Sequence, residues 1–252
     1  MDNKITKKRI NDHLEYDWYK YLIILVAGIV LFYFLFSQIN RTRDYEDITF
    51  FISCYEADDN GFSDRVKRDM ASDDYKQNGQ KKYGENVLRS LTLETQNPLD
   101  SNYITLLQTH GQISSDVLIV GKSILENAGP SYLELTDALL RDYLLPDGVQ
   151  IEDLDYYAIE HDGRAYRMGI RVSDFSRLPF ETDWRKIQSY KDKYDEMAEE
   201  NQPDTEFYLV INRSSVNIGP FGKKSKDKNA QTLFAVNRFI KYYNREVPQE
   251  AV

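Results

Sequence analysis

The sequence has 252 residues, a net charge of −9 and a single cysteine, Cys54. This length fits one domain, or one domain with a smaller addition, and one cysteine excludes an intramolecular disulfide. No segment is basic enough to indicate a nucleic-acid interface, so we predict no nucleic-acid partner.

The first element along the chain is an uncharged run at residues 21–40, YLIILVAGIVLFYFLFSQIN. Twenty helical residues span about 30 Å, the thickness of the hydrocarbon core of a bilayer. Trp18, Tyr19 and Tyr21 lie at one end of the run, where amphipathic rings favour the membrane interface. No small-residue cleavage site follows. The pattern predicts an uncleaved transmembrane anchor at 19–40, with the lipid bilayer as its partner.

The basic residues that flank this run predict its orientation. Two, Arg41 and Arg43, follow it closely, whereas five lie on its N-terminal side: Lys4, Lys7, Lys8, Arg9 and Lys20. Cytoplasmic flanks carry the excess of Lys and Arg. We therefore predict a single-pass protein of the cell membrane. Its segments are a cytoplasmic tail at 1–18, a linker at 41–46, an extracytoplasmic domain at 47–244 and a flexible tail at 245–252.

The domain opens with DITFFISCY at 47–55, which alternates between two partly apolar faces. One face carries Ile48, Phe50, Ile52 and Cys54, and the other carries Thr49, Phe51, Ser53 and Tyr55. A strand that is apolar on both faces is typical of the centre of a sheet with both sides covered. Cys54 is therefore predicted to be a small buried hydrophobe.

Further along, apolar runs alternate with helical patterns. Strands are predicted at 86–95, 115–121 and 206–219, and a hairpin at 156–172 turns on Asp162-Gly163. Surface loops are predicted at 76–85 and 221–229. Helices are predicted from residue 63 onward, at 99–109, in short pieces through 130–143, and at 182–201 and 231–243. This order predicts an α/β domain with a largely parallel, doubly wound sheet.

The stretch DVLIVGKS at 116–123 ends like a nucleotide-binding P-loop. A P-loop needs a glycine five residues before its last glycine, in a loop whose backbone N–H groups bind phosphate. Asp116 holds that position, and the four residues after it are strand-forming. The pattern therefore favours a buried strand that ends at Gly121.

The acidic stretch after the first strand imitates a calcium loop. With Gly61 at position six of an EF-hand frame, Glu56, Asp58 and Asn60 fall at positions one, three and five. Position twelve is then Lys67, where a bidentate glutamate is required. We predict no metal and no cofactor, and no GxSxG or HExxH pattern indicates catalytic residues.

Ligands of open α/β sheets bind outside the carboxyl ends of the strands. Two polar groups of residues follow predicted strands in this way. The sequence therefore predicts ligand contacts from Glu56, Asp58, Asp59, Lys122 and Ser123.

Several segments in order resemble a known family. They are DITFFISCYEADDNGFSD, then TLLQTHGQISSDVLIVGKSIL, then LTDALL, and then YYAIEHDGRAYRMGIRV. This order resembles the extracytoplasmic solute-binding proteins of bacterial ABC importers, which have the type II periplasmic-binding fold. The resemblance covers roughly 47–244, and FYLVINRSSVNIG looks like the return of the chain to the first lobe. It implies one lobe of that fold, because the segment that holds most of the second lobe in the family is shortened here.

Three functions follow as hypotheses. The first is an interaction or accessory component that docks onto the membrane subunits of an ABC transporter-like complex and is not an enzyme. The second is a true receptor that delivers a small-molecule solute, a sugar or a peptide, to an ABC importer. The third is a cell-envelope hydrolase. Aromatic rings that face an open cleft, at Trp184 or Tyr166, would favour the receptor, and their burial would favour the interaction component.

Overall fold

The computed structural model describes residues 7–39, 46–54, 56–85, 88–128, 132–182, 204, 206–213 and 223–244. The chain divides into two compact units, 1–42 and 43–252. The helix predicted at 182–201 lies almost wholly outside the described residues, and so do Trp184 and the tail at 245–252.

The first unit contains one long helix, α1 (Lys7–Ile39). Its segment Trp18–Ser37 has a mean hydropathy of 2.2 and is long and apolar enough to cross a membrane. None of that segment is buried against protein. A membrane anchor and a signal sequence share these properties, and the helix contains the apolar segment predicted at 19–40 up to Ile39.

The second unit is built on a six-stranded sheet. Its strands are β1 (Asp47–Ile52), β3 (Ser90–Thr95), β4 (Val117–Gly121), β5 (Tyr156–His161), β6 (Arg164–Arg171) and β8 (Phe207–Ile211), and they lie in the order β3-β1-β4-β8-β6-β5. A separate two-stranded sheet pairs β2 (Ala57–Asp58) with β7 (Glu181–Thr182). The domain is therefore α/β, as predicted.

The prediction of a largely parallel sheet was wrong, because the large sheet is mixed. β1 runs parallel to β3 and β4, whereas the pairs β4–β8, β8–β6 and β6–β5 are antiparallel. The apolar composition of β8 indicated a buried strand but carried no information about its direction. The chain enters β8 beside β4 from the same edge at which β4 ends, and this makes the pair antiparallel.

Both faces of the sheet are covered, as a doubly wound arrangement requires. Ile48, Phe50 and Ile52 belong to one buried cluster, whereas Phe51, between them in sequence, belongs to the cluster on the opposite face. The same alternation continues through β4 and β8. The predicted division into two faces is confirmed for residues 47–54, whereas Tyr55 lies outside the described residues, and Cys54 is buried and forms no disulfide.

The described helices of this unit are mostly short. They are α2 (Phe62–Ala71), α3 (Gln80–Tyr83), α4 (Tyr103–Leu106), α5 (Lys122–Ala128), α6 (Asp137–Leu139) and α7 (Lys223–Tyr243). Three π-helical turns adjoin them: Tyr75–Gly79, Leu107–Gln112 and Leu140–Leu144. α2, α7 and the turn at 140–144 cover one face of the sheet, and α4 and α5 cover the other.

Two predicted loops are helical in the structure. Residues 76–83 form a π-helical turn and α3, because Tyr75 and Tyr83 pack their rings against Phe234 and fix that segment on the core. The residues between these tyrosines are polar and were therefore interpreted as a surface loop. The basic stretch predicted as a loop at 221–229 is helical from Lys223, where α7 begins.

The hairpin prediction is confirmed by β5 and β6. Asp162 has φ 50° and Gly163 has φ 72°, which is the left-handed conformation that a two-residue primed turn requires. The partners on either side of this turn are His161 and Arg164.

Buried polar contacts join the strands at the start of β4. The Asp116 carboxylate accepts a hydrogen bond from the Thr49 backbone N–H at 3.0 Å, and the Asp116 carbonyl accepts one from the Asn212 N–H at 2.9 Å. The Asn212 side-chain amide donates to the carbonyls of Gly111, Gln112 and Ser115. We call this group of contacts around Asp116 and Asn212 the polar tie.

The polar tie also bears on a sequence motif. Asn212 begins an Asn-Arg-Ser glycosylation pattern, yet it is only 1% exposed and its amide nitrogen is hydrogen-bonded. The folded domain therefore presents no acceptor for a glycan at this position.

Replacing Asn212 tests the tie. Asn212→Ala removes the donor for three carbonyls next to β4, and unsatisfied buried polar groups cost about 1–3 kcal/mol each. We expect the free energy of unfolding to fall by about 2–4 kcal/mol, measured by urea unfolding of the full-length protein in detergent and followed by circular dichroism. Asn102→Ala, at an exposed position without a side-chain cap bond, is the control and should change it by less than about 0.5 kcal/mol. Equal effects of the two variants would contradict the assigned role.

Candidate functional site

The carboxyl ends of β1 and β4 are the place where the sequence predicted ligand contacts. β4 ends at Gly121, and α5 begins at once with Lys122 and Ser123. The strand is buried throughout, so DVLIVGKS is a core strand followed by a helix and the P-loop interpretation is excluded by its conformation.

Ser123 is held by an acidic residue that the sequence analysis did not single out. The Ser123 hydroxyl donates to the Asp204 carboxylate at 2.6 Å, and the Ser123 backbone N–H contacts both carboxylate oxygens at 3.2 Å. Asp204 therefore binds the first turn of α5 in the way that an external anion would bind a helix start.

Gly121 makes room for this carboxylate. A Cβ atom at position 121 would collide with the Asp204 side chain, so any larger residue would displace Asp204 or shift the backbone. The glycine that looked like part of a phosphate-binding loop instead accommodates an internal carboxylate.

Lys122 is also engaged by the chain itself. Its ammonium lies 3.1 Å from the Glu206 carboxylate, whose other oxygen lies 3.1 Å from the Arg171 guanidinium. The Lys122 backbone N–H donates to the Glu206 carbonyl at 3.0 Å. Glu206 thus joins the ends of β4 and β6 across the beginning of β8.

These contacts shift the pKa values of both charged partners. The hydrogen bond and the charge of Glu206 raise the pKa of Lys122. The hydrogen bond from Lys122, with the charges of Lys122 and Arg171, lowers the pKa of Glu206 below its ordinary value of 4.5. Both groups are charged at neutral pH, which is the form that the ion pairs stabilise.

The end of β1 is closed by a buried pair of hydroxyls. The hydroxyl oxygens of Ser53 and Tyr103 are 2.6 Å apart, and both side chains are buried. Burial raises the pKa of Tyr103, and the nearby Asp204 charge raises it further. The Ser53 N–H donates to the Ile119 carbonyl at 2.9 Å, so the hydrogen bonding between the two chain segments continues one residue beyond the end of β1.

The acidic residues predicted to contact a ligand make hydrogen bonds within their own loop and to the start of α2. An Asp58 oxygen accepts from the Asn60 N–H at 3.0 Å, and an Asp59 oxygen accepts from the Ser63 N–H at 2.9 Å at the start of α2. Glu56 is exposed, and its carbonyl accepts a hydrogen bond from the Cys54 thiol. The loop then pairs with Glu181 and Thr182 in the small sheet.

The five predicted residues thus make their described contacts with their own surroundings rather than with one another. No described contact links Lys122 or Ser123 to Glu56, Asp58 or Asp59, and within the described ranges no group of three or more His, Cys, Asp or Glu side chains is placed to hold a metal ion. Asp204 and Glu206 were missed because they precede a strand rather than follow one. Their position at the edge where β4 ends follows from the antiparallel pairing of β8 with β4, which the sequence did not indicate.

Of the two aromatic side chains that would distinguish a receptor from an interaction component, Tyr166 lies within the described residues. Tyr166 is partly buried, and the Arg164 guanidinium carbon lies 4.7 Å from the centre of its ring. A cation of the same strand therefore lies over one face of the Tyr166 ring.

No known protein family, curated protein or solved structure matches the chain.

The ion pairs of Glu206 give a prediction about protonation. In Lys122→Gln the pKa of Glu206 should rise toward 4.5 because the largest stabilising charge is removed, while Arg171 keeps it from rising fully. Carboxyl carbon shifts in an NMR titration would report the change. Lys76→Gln, which breaks an exposed pair with Asp73 instead, is the control and should leave the Glu206 pKa unchanged.

The same shift has a consequence for stability. Because the folded-state pKa of Glu206 is depressed, its stabilising contribution is present above the ordinary pKa of glutamate and is lost as the pH falls through the lower folded-state value. In Lys122→Gln that loss should begin at a higher pH than in the unchanged protein. An unaltered Glu206 titration in Lys122→Gln would show that the ion pair is not formed in solution.

Proposed function

We propose that the chain is a membrane-anchored, extracytoplasmic and non-enzymatic domain that serves as an interaction or accessory component of a membrane complex of the ABC-transporter type. Its likeness in segment order to one lobe of a type II periplasmic-binding protein suggests the class of complex. α1 is the anchor, the N-terminus is cytoplasmic, and the domain after it lies outside the cytoplasm.

The observation that carries this proposal is the closed carboxyl edge of the sheet. A receptor lobe uses this edge to contact its ligand. Here Ser123 is bound to Asp204, Lys122 is paired with Glu206, and the end of β1 is filled by Ser53 and Tyr103. A ligand would have to displace several charge-assisted contacts before making its own, and this favours a domain that has exchanged solute binding for another role.

Exposed apolar side chains support a role in protein contact. Outside α1, the exposed large hydrophobic side chains of the described residues are Leu99, Ile104 and Ile113. Ile104 and Ile113 lie near the two ends of the helical segment formed by α4 and the π-helical turn Leu107–Gln112. Anchoring in the same bilayer raises the effective concentration of these side chains near a membrane partner.

The second candidate function is a true receptor, which the same resemblance favours. Neutral sugars or peptides would then bind at the carboxyl edge after Asp204 and Glu206 move away. A ligand at one hundred times its dissociation constant stabilises a protein by about 2.7 kcal/mol.

The membrane topology can be tested by cysteine labelling, with the unchanged protein and its buried native thiol as the negative control. Cys54 is 1% exposed, so the unchanged protein should react little with a membrane-impermeant maleimide. In intact cells, Asp100→Cys, at an exposed position, should be labelled, whereas Asn3→Cys should be labelled only after permeabilisation. If the mass of the membrane-bound protein equals that of the whole sequence, the helix is an uncleaved anchor and not a cleaved signal sequence. The reverse labelling pattern would overturn the orientation.

The interaction role can be tested by crosslinking in living cells. A photoreactive residue at Ile104 or Ile113 should capture a membrane subunit of an importer, identified by mass spectrometry, whereas the same residue at exposed Asp73 should not. In parallel, neutral sugars and peptides should leave the midpoint of thermal unfolding unchanged. A rise of about 5–10 °C that disappears in Lys122→Gln, without any captured subunit, would favour the receptor instead.

A further inference from the structure

A groove in the domain is lined by none of the residues discussed above as a site. Its volume is about 630 Å³, within the range of small-molecule sites in proteins. Three segments form its walls: residues 74–83, the loop at 145–149, and the last turns of α7. Its lining residues are Asp74, Asn78, Gly79, Lys82, Tyr83, Leu145, Pro146, Asp147, Gly148, Val149, Asn237, Arg238, Lys241 and Asn244.

The walls of the groove are tied to one another. The Tyr83 hydroxyl donates to the Tyr143 carbonyl at 2.6 Å, and the Asn237 amide donates to the Leu144 carbonyl at 3.2 Å. Both bonds end on the turn that leads into the loop at 145–149. Since they connect α3, this turn and α7, the groove is formed before any ligand arrives.

The lining of the groove carries both positive and negative side chains. Three cationic side chains, Lys82, Arg238 and Lys241, face two carboxylates, Asp74 and Asp147. Arg238 and Lys241 both contact Asp69, at 3.4 and 3.9 Å, so that one carboxylate serves two cations.

Lys82 is the cation best placed to receive an anion. Its ammonium lies 5.1 Å from the centre of the Tyr83 ring and 5.9 Å from that of Tyr143, and no described carboxylate forms an ion pair with it. Burial lowers the pKa of Lys82, the charges of Asp147 and Asp142 raise it, and that of Arg238 lowers it. A partly desolvated ammonium without a direct anionic partner gains most from one that a ligand supplies.

The uncharged polar lining matches hydroxyl groups. Asn78, Asn237 and Asn244 provide amides, and Asp74 and Asp147 provide carboxylate acceptors. Asn78 already donates to Asp74 at 2.9 Å and Asn237 donates to Leu144, so a ligand hydroxyl would use the second N–H and the oxygen of these amides. Neutral hydroxyls satisfy such groups without adding charge.

We propose that this groove binds a sugar-sized polyol that carries one anionic group, a carboxylate or a phosphate. The anionic group contacts Lys82, and the hydroxyls contact the asparagine amides and the two carboxylates. This activity goes beyond the interaction role, and none of Lys122, Ser123, Asp204 and Glu206 lines the groove.

Calorimetric titration of the full-length protein in detergent tests the proposal. The probes are glucose 6-phosphate, glucuronate, glucose and inorganic phosphate. At least one of the two sugar anions should bind saturably, and at least tenfold more tightly than glucose or inorganic phosphate. Lys82→Gln should weaken that binding at least tenfold, and Lys82→Arg should weaken it less because it keeps the charge.

The matched control is Lys81→Gln, since Lys81 lies on the same short helix, is exposed and does not line the groove. It should leave affinity unchanged. If Lys82→Gln fails to fold, as judged by circular dichroism, Asn78→Ala replaces an exposed lining residue and should weaken binding at least threefold. Absence of saturable binding by both sugar anions, equal affinity for glucose, or equal weakening in Lys81→Gln would overturn the proposal. Crosslinking in cells decides the interaction role separately.

Discussion

The polar tie at the start of β4 is the constraint on which the sheet depends. β4 and β8 are buried along their whole length, and two such apolar strands can pair in more than one register with little difference in burial. Asp116 and Asn212 remove that ambiguity, because a slip of one residue would leave buried hydrogen-bonding groups without partners. The pairing of Val117 with Ile211 follows directly from the tie. Through this pairing, the parallel half of the sheet is joined to its antiparallel half.

At the opposite end of the same two strands, charged side chains hold the neighbouring segments together. Glu206 precedes β8 and holds Lys122 and Arg171, while Asp204 holds the start of α5. An open α/β sheet normally leaves this edge free for a ligand. Here Asp204 and Glu206, which precede β8, contact this edge, so residues next to the strand that completes the sheet also occupy the position at which a ligand of such a sheet would bind. The mixed sheet and the proposed interaction role are linked in this way.

Much of the fold could be predicted from local patterns. The alternation of Ile48, Phe50 and Ile52 with Phe51 gave the two covered faces, and Asp162-Gly163 gave the hairpin. The helical turn at 75–79 could not be predicted because it depends on the distant Phe234. The direction of β8 could not be predicted because it depends on pairing with β4, far away in the sequence. For the site, Lys122 and Ser123 were placed correctly at the end of β4, but Asp204, Glu206 and the groove come together only through long-range contacts that no local pattern encodes.

The order of the strands has a consequence for how the chain folds. The central strand β4, at residues 117–121, must wait for residues 207–211 before its second edge is paired, and α7 covers the core last of all. Pairings of such distant segments are slow to form, and an unpaired apolar strand edge is prone to association with other chains. While the chain is being made, the half-built sheet therefore needs protection, and a product truncated before residue 207 would remain an aggregation hazard rather than a smaller folded unit.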